Sequence, residues 1–349
     1  LAKWGEVSTN GQVSGRRNLI INGAMQVAQR SASVTGLGAA DGYFTLDRYR
    51  MTHSATSAGR YTMTQSAVTD LSGFPNALKI DCTTADTSIA AGELLIIQHR
   101  VEGFNLQSLK ATSTSTRAFT VSFYAKSNAS RAINTEIRFG NGTNRQATKT
   151  HTIGTSWARY TMTIPAASST QIDNDNSHEM DLNFWINAGS TYQGGTVNSS
   201  LHAHDSTTRA AGIGSIFAST DNTLEITGVQ LEVGSVATPF EHRSFGEELA
   251  LCQRYFQVIG GVETAAAIFG GDASSTSMVY THIPFSGGSM RSSPTVTEEG
   301  SFASANIASR AFEYLNTMSM ALKVGPSGAG RYYLELDSSD DRILLSSEL

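Results

Sequence analysis

The chain has 349 residues, room for roughly two or three domains and a sizeable buried core. Only 16% of residues are charged, where about 25% is usual, and Ser, Thr, Asn and 32 glycines stand in their place, the mix of short strands and many turns. A net charge of −5 offers no basic footprint for nucleic acid, two cysteines exclude a disulfide-stapled scaffold, and no apolar run reaches the ~20 residues of a membrane-spanning helix. No signal peptide is visible, and the chain opens on Leu1 rather than Met, which leads us to expect an upstream segment carrying an anchor.

Residues 1–17 are polar and aperiodic and are expected to form a linker or arm. From Asn18 the pattern changes: NLIINGAMQVAQR is apolar and then amphipathic, and YFTLDRYRM follows as the next β element. ELLIIQH, 93–99, is a continuous apolar run and reads as a central strand. Three later segments alternate. Phe119, Val121, Phe123 and Ala125 share one face, Tyr160, Met162 and Ile164 another, and Met180, Leu182, Phe184 and Ile186 a third, each backed by polar residues. No long helical period appears before residue 244, so the residues predict an all-β sandwich.

The stretch LEITGVQLEVGSVATPFEHRSFGEELALCQRYF, 224–256, changes character three times. Leu224 and Ile226 have one parity, and Val229, Leu231 and Val233 the other, so a β-bulge is expected at Thr227-Gly228. Pro239 denies the strand a donor and ends it. Ser244 and Glu247 have capping-box spacing and predict a helix on which Leu249, Cys252 and Phe256 form an apolar stripe. The tail is a smaller domain, with strands expected in SMVYTHIPF, RYYLELDSS and DRILLSSEL, and loops in GGDASSTS and KVGPSGAGR.

Several of these segments resemble structural proteins of tailed bacteriophages: NLIINGAMQVAQR with LDRYR, FTVSFYAKS, SWARYTMTIP, LNFWINAG, the whole of 224–256, and IPFSGGSMRSSPTVT at 283–297. The similarity is to tail-fibre and related virion appendage proteins carrying a jelly roll like that of carbohydrate-binding modules. The resemblance implies a jelly-roll β-sandwich over 18–243, then a short helix and a smaller β-rich domain over 244–349, for tip or trimerisation. It also implies a homotrimer on the outside of the virion, contacts with other tail or capsid proteins, and attachment to host-surface glycan without enzymatic activity. Gly228, Pro239, Ser244 and Glu247 would then be parts of a structural joint between domains. The alternatives are a capsid-decoration or tail-hub subunit making only protein contacts, and a glycan-cleaving tailspike.

Candidate site residues follow from chemistry. Sugars stack on aromatic rings and are oriented by polar neighbours, so Trp185, between Asn183 and Asn187 on the polar side of its strand, and Tyr192 are candidate carbohydrate contacts, unless another chain or layer covers that face. Trp157 opens a strand and reads as a packing residue at the sandwich edge. His202 and His204 in LHAHD share a face, which resembles the pair that some trimeric phage fibres use from each chain to hold a metal; exposed loop histidines are the other reading. Asp173, Asp175 and Ser177 offer oxygen ligands, although His178 and Phe184 replace the Gly and Glu that a calcium loop needs. No cofactor is expected, with a structural cation left open. Asp47 and Arg48 are expected to pin a corner as a buried pair, and Cys82 and Cys252 to be separate buried thiols. No catalytic motif occurs: SHEMDL lacks the second His of a zinc-protease helix, and there is no nucleophile elbow, P-loop or dinucleotide fingerprint.

Overall fold

The computed structural model describes residues 16–54, 57–140, 144–261, 266–336, 338 and 340–349, so residues 1–15 of the expected arm lie outside the described residues. The chain divides into two compact units, one running to Glu248 and taking in Leu349, the other Leu249–Glu348.

The first unit is a jelly-roll sandwich of two large antiparallel sheets. The six-stranded sheet runs Ser33–Leu37, Arg60–Ala67, Asn76–Thr84, Thr223–Val233, Phe119–Ser127, Ala158–Ile164. The seven-stranded sheet runs His202–Ala203, Arg145–Ile153, Arg131–Phe139, His178–Ala188, Leu94–Glu102, Tyr49–His53, Gly42–Tyr43. The apolar run Leu94–Glu102 is an interior strand, as its composition predicts. The alternating residues meet between the sheets, where Phe123 packs edge-on against Phe184 with ring centroids 4.9 Å apart.

The bulge is present and has a clear structural role. Pairing of Thr223–Val233 with Phe119–Ser127 shifts register between Thr227 and Gln230, and Gly228 takes φ 58°. On its other edge the strand pairs with Asn76–Thr84 only as far as Ile226. Beyond that point residues 18–23 take the vacated edge. Leu19 N–H donates to Leu231 O (2.9 Å), Val229 N–H to Gly23 O (2.9 Å), and the Asn18 amide bonds both Val229 O and Leu231 N–H. Gly23 must be glycine, because a Cβ there would lie 2.2 Å from Val229 O. NLIING is thus neither helix nor strand but a plug seated on the bulge.

At the corner LDRYR both Asp47 and Arg48 are buried. Asp47 accepts from the Gln29 backbone and side-chain amides, and faces Arg30 at 3.7 Å, while Arg48, at φ 72°, donates to Arg100 O. Glu241 accepts from the Arg17 and Asn18 backbone N–H groups, and Pro239 O accepts from Arg17, tying the chain after the strand to the same plug. The capping box forms: Ser244 Oγ accepts from Glu247 N–H, and the Glu247 carboxylate accepts from Ser244 N–H (3.0 Å) and Oγ–H (2.8 Å). The helix Phe245–Gln253 is shorter than its apolar stripe suggests. Phe256 instead opens the strand Phe256–Gly260, whose ladder with Arg342–Ser346 overrides the helical spacing.

The second unit holds three three-stranded antiparallel sheets around its own core. Two expected loops are partly strand: Gly270–Ala273 end one, and Lys323–Pro326 another. At Gly271 a Cβ would lie 2.6 Å from the Tyr332 hydroxyl, so a larger residue would make that ring shift. Cys82 and Cys252 are separate buried thiols, one in each unit.

Candidate functional site

The outward residues of the seven-stranded sheet form rows across the strands, with Gln98, Asn183 and Glu136 in one and Ile96, Trp185 and Asn134 in the next. The expectation that Trp185, Asn183 and Asn187 stand open to sugar is corrected: all three are fully buried. The cover is the chain's own segment 189–214. From it Tyr192, half-buried, brings its ring to 5.2 Å from Trp185, and Arg209 lies over the indole at 4.5 Å. The anchor is Glu136, fully buried, whose carboxylate accepts two bonds from Arg209 (2.7 and 2.9 Å), one from Trp185 Nε1–H (2.9 Å) and one from Asn183 (2.9 Å). Burial works against the Arg209 charge, but Glu136 outweighs it and raises the guanidinium pKa. Asn134 donates to Arg209 O and Ala211 O, closing the strap. Asn187 makes no side-chain hydrogen bond among the described residues.

The histidines come from the same strap. His202 pairs with Gln146 at the sheet edge and its Nδ1 lies 2.9 Å from Ser200 O. His204 is partly buried, which with Arg138 and Arg209 nearby lowers its pKa. Among the described residues no three His, Cys, Asp or Glu side chains converge as a metal site. In the 171–179 loop, Asp175 accepts from Ser177 N–H, and Gln171 donates to Asp173.

The opposite face of the sandwich is covered at one end, where Thr120, Gln230 and Glu232 are buried against residues 234–241, and more exposed at the other. On the six-stranded sheet the outward residues include Lys79, Asp81, Glu225 and Lys126, with side chains 16% to 31% exposed. Trp157 stands at its margin, half-buried at the sandwich edge. Its Nε1–H donates to Asp70 (2.8 Å), and Lys126 lies 5.0 Å from the ring centroid while bonding Asp70 at 2.9 Å. These bonds, from Lys126 first and Trp157 second, hold the exposed Asp70 carboxyl below the usual range. Two residues along the strand, Tyr124 belongs to a partly exposed ring cluster with Phe74, Phe240 and His242, successive centroids 4.9 to 5.2 Å apart, and Arg159 reaches over Tyr124 at 5.9 Å. Asp70 reaches Trp157 across 87 residues of sequence, so nothing local announced the pairing. The outward polarity of Lys126 and Arg159 was the one available signal.

A third feature lies at the edge of the seven-stranded sheet, a pocket of about 340 Å³ lined by Arg145, residues 165–169, Ser200 and Leu201.

No protein-family description matches the chain, and no curated protein matches it in sequence. Among solved structures it is similar to the enzymatically active domain of tailspike protein 4 of bacteriophage CBA120, at 12% identity over 62% of this chain, with a TM-score of 0.31. The chain spans about a fifth (21%) of that tailspike chain. It is also similar to a CBM4 structure (13% identity, 61% of this chain and 99% of that one, TM-score 0.31). A family 11 carbohydrate-binding module from Clostridium thermocellum, in complex with a mixed-linked tetrasaccharide, matches at 9% identity over 60% of this chain and 99% of that one, with a TM-score of 0.29.

Proposed function

We propose that the chain is a non-enzymatic virion appendage protein, a subunit of a trimeric tail fibre, whose sandwich holds host-surface glycan on the outer face of the six-stranded sheet. The observation that carries the glycan reading is the fixed indole of Trp157, with its N–H tied to Asp70 and Lys126 against the ring. An aromatic face held in place beside a carboxylate and an ammonium is what stacking on a sugar ring and bonding its hydroxyls require, with little side-chain ordering left to do on binding. The adjoining Tyr124, Phe240 and His242 extend the aromatic surface. Placement on a virion and trimeric assembly rest on the resemblance of the segments at 18–30, 224–256 and 283–297.

The test is solution mass by light scattering together with a host-cell pull-down, for the protein and for Trp157→Ala. The expected result is a trimer whose mass is unchanged by the substitution and whose cell binding falls by about tenfold or more. Undiminished binding by Trp157→Ala would remove this surface from the reading, and a stable monomer at micromolar concentration would overturn the fibre assignment.

A further inference from the structure

We propose that the pocket at the edge of the seven-stranded sheet is an anion subsite that takes the carboxylate of an acidic sugar, with Arg145 as its anchor. The inference rests on the glycan reading above and names the kind of glycan. Three segments build the site: Arg145 opens the strand Arg145–Ile153, Ala167–Ser168 form the edge of a small three-stranded sheet, and Ser200-Leu201 lead into the edge strand His202–Ala203. The volume of about 340 Å³ suits a small polar ligand such as a single sugar ring.

The donor set points to an anion. Arg145 Nε–H donates to Ser169 O at 3.1 Å, which orients the guanidinium, and its two terminal nitrogens have no partner among the described residues. Ser169 holds φ 62° without being glycine, a costly backbone conformation that sets the carbonyl against Arg145. Among the described residues no carboxylate lines the pocket. The hydroxyls of Ser168 and Ser200 make no hydrogen bond among the described residues and are available to ring hydroxyls. In a chain of net charge −5, a concavity whose described lining offers the two terminal nitrogens of Arg145 and no acid is matched by a planar, bidentate carboxylate.

Trp157 and Pro165 flank opposite ends of the strand Ala158–Ile164, about 25 Å apart at the usual rise per residue, so the two surfaces can be tested separately. The probes are galacturonic acid, its neutral methyl ester and galactose 6-phosphate, with the matching glucose series, titrated by NMR against the full chain. The expected result is saturable binding of a uronic acid, about tenfold or more weaker for its ester and for Arg145→Gln. A second variant, Ser200→Trp, fills the pocket at an exposed loop position and keeps the charge; it is expected to lose the same binding. Thermal unfolding checks that both pocket variants fold. Equal binding of acid and ester, full binding by Arg145→Gln or Ser200→Trp, tighter binding of the phosphate, or no binding of either uronic acid would each overturn the proposal. Loss of cell binding in Trp157→Ala with no uronic acid bound would sink the pocket and leave the glycan face standing.

Discussion

Gly228→Ala measures how much the bulge depends on glycine. Two costs add. The backbone holds φ 58°, where a side chain costs about 1–2 kcal/mol. A Cβ would also meet the rings of Phe74 and Tyr124 at 2.8 Å, and forced repacking of that kind costs about 1–3 kcal/mol. The sum is roughly 2–5 kcal/mol, or about 5–15 °C in Tm for a unit of this size. Gly36→Ala is the control, since Gly36 has φ 74° but nothing within 4 Å of its Cβ position, so only the backbone cost of about 1–2 kcal/mol applies. Urea unfolding followed by tryptophan fluorescence isolates the first unit, because residues 249–348 contain no tryptophan. Gly228→Ala should lose at least about 1 kcal/mol more than Gly36→Ala. Equal losses would mean that the rings give way freely and that the bulge is not a tightly packed joint.

Glu136→Gln leaves the Arg209 charge over Trp185 without its counter-charge, and should destabilise the first unit by about 3–5 kcal/mol while opening Trp185 to acrylamide quenching; an unquenched, fully stable variant would show that Glu136 does not hold the strap. Acid should also destabilise the sandwich, because burial lowers the pKa of His53 and His151 to about 4 and of His99 to about 3. The unfolded chain then binds more protons below pH 6.5, so stability is full above that pH and falls by up to about 1.4 kcal/mol per unit for each histidine, down to about pH 4 for the first two and 3 for His99. Urea midpoints at pH 7, 6 and 5 check this, and a flat profile would refute it.

The parts of the fold that could be read from sequence were those set by local periodicity. Alternation placed Phe119, Val121, Phe123, Met162, Phe184 and Ile186 in the core, because a strand with one dry face must repeat every two residues. The parity break at Thr227-Gly228 and the spacing of Ser244 and Glu247 are equally local, and both appear where expected. Failures came where a distant segment supplied the partner. NLIING carries its own apolar residues but no ladder of its own; its hydrogen bonds go to Val229 and Leu231, more than 200 residues away. Phe256 fits a helical stripe, yet a strand at the far end of the chain, Arg342–Ser346, claims it.

The same distinction decides which face of the sandwich can meet a ligand. Strand alternation identifies a polar face but cannot tell water from another layer of protein, and Trp185 flanked by Asn183 and Asn187 looks alike in both cases. The difference lies in charge placed far away: Arg209, from the covering segment, supplies the buried Glu136 with a bidentate counter-charge, so covering that face satisfies a carboxylate instead of stranding it. On the six-stranded face the buried Glu232 is likewise met by Thr238 from the segment that covers its end of the sheet, whereas Lys126 has Asp70 at 2.9 Å and Glu225 at 3.7 Å, and Lys79 has Asp81 at 2.9 Å, so those charges are matched at the surface. That end of the face stays uncovered, and Trp157 stands on its margin beside Lys126 and Asp70.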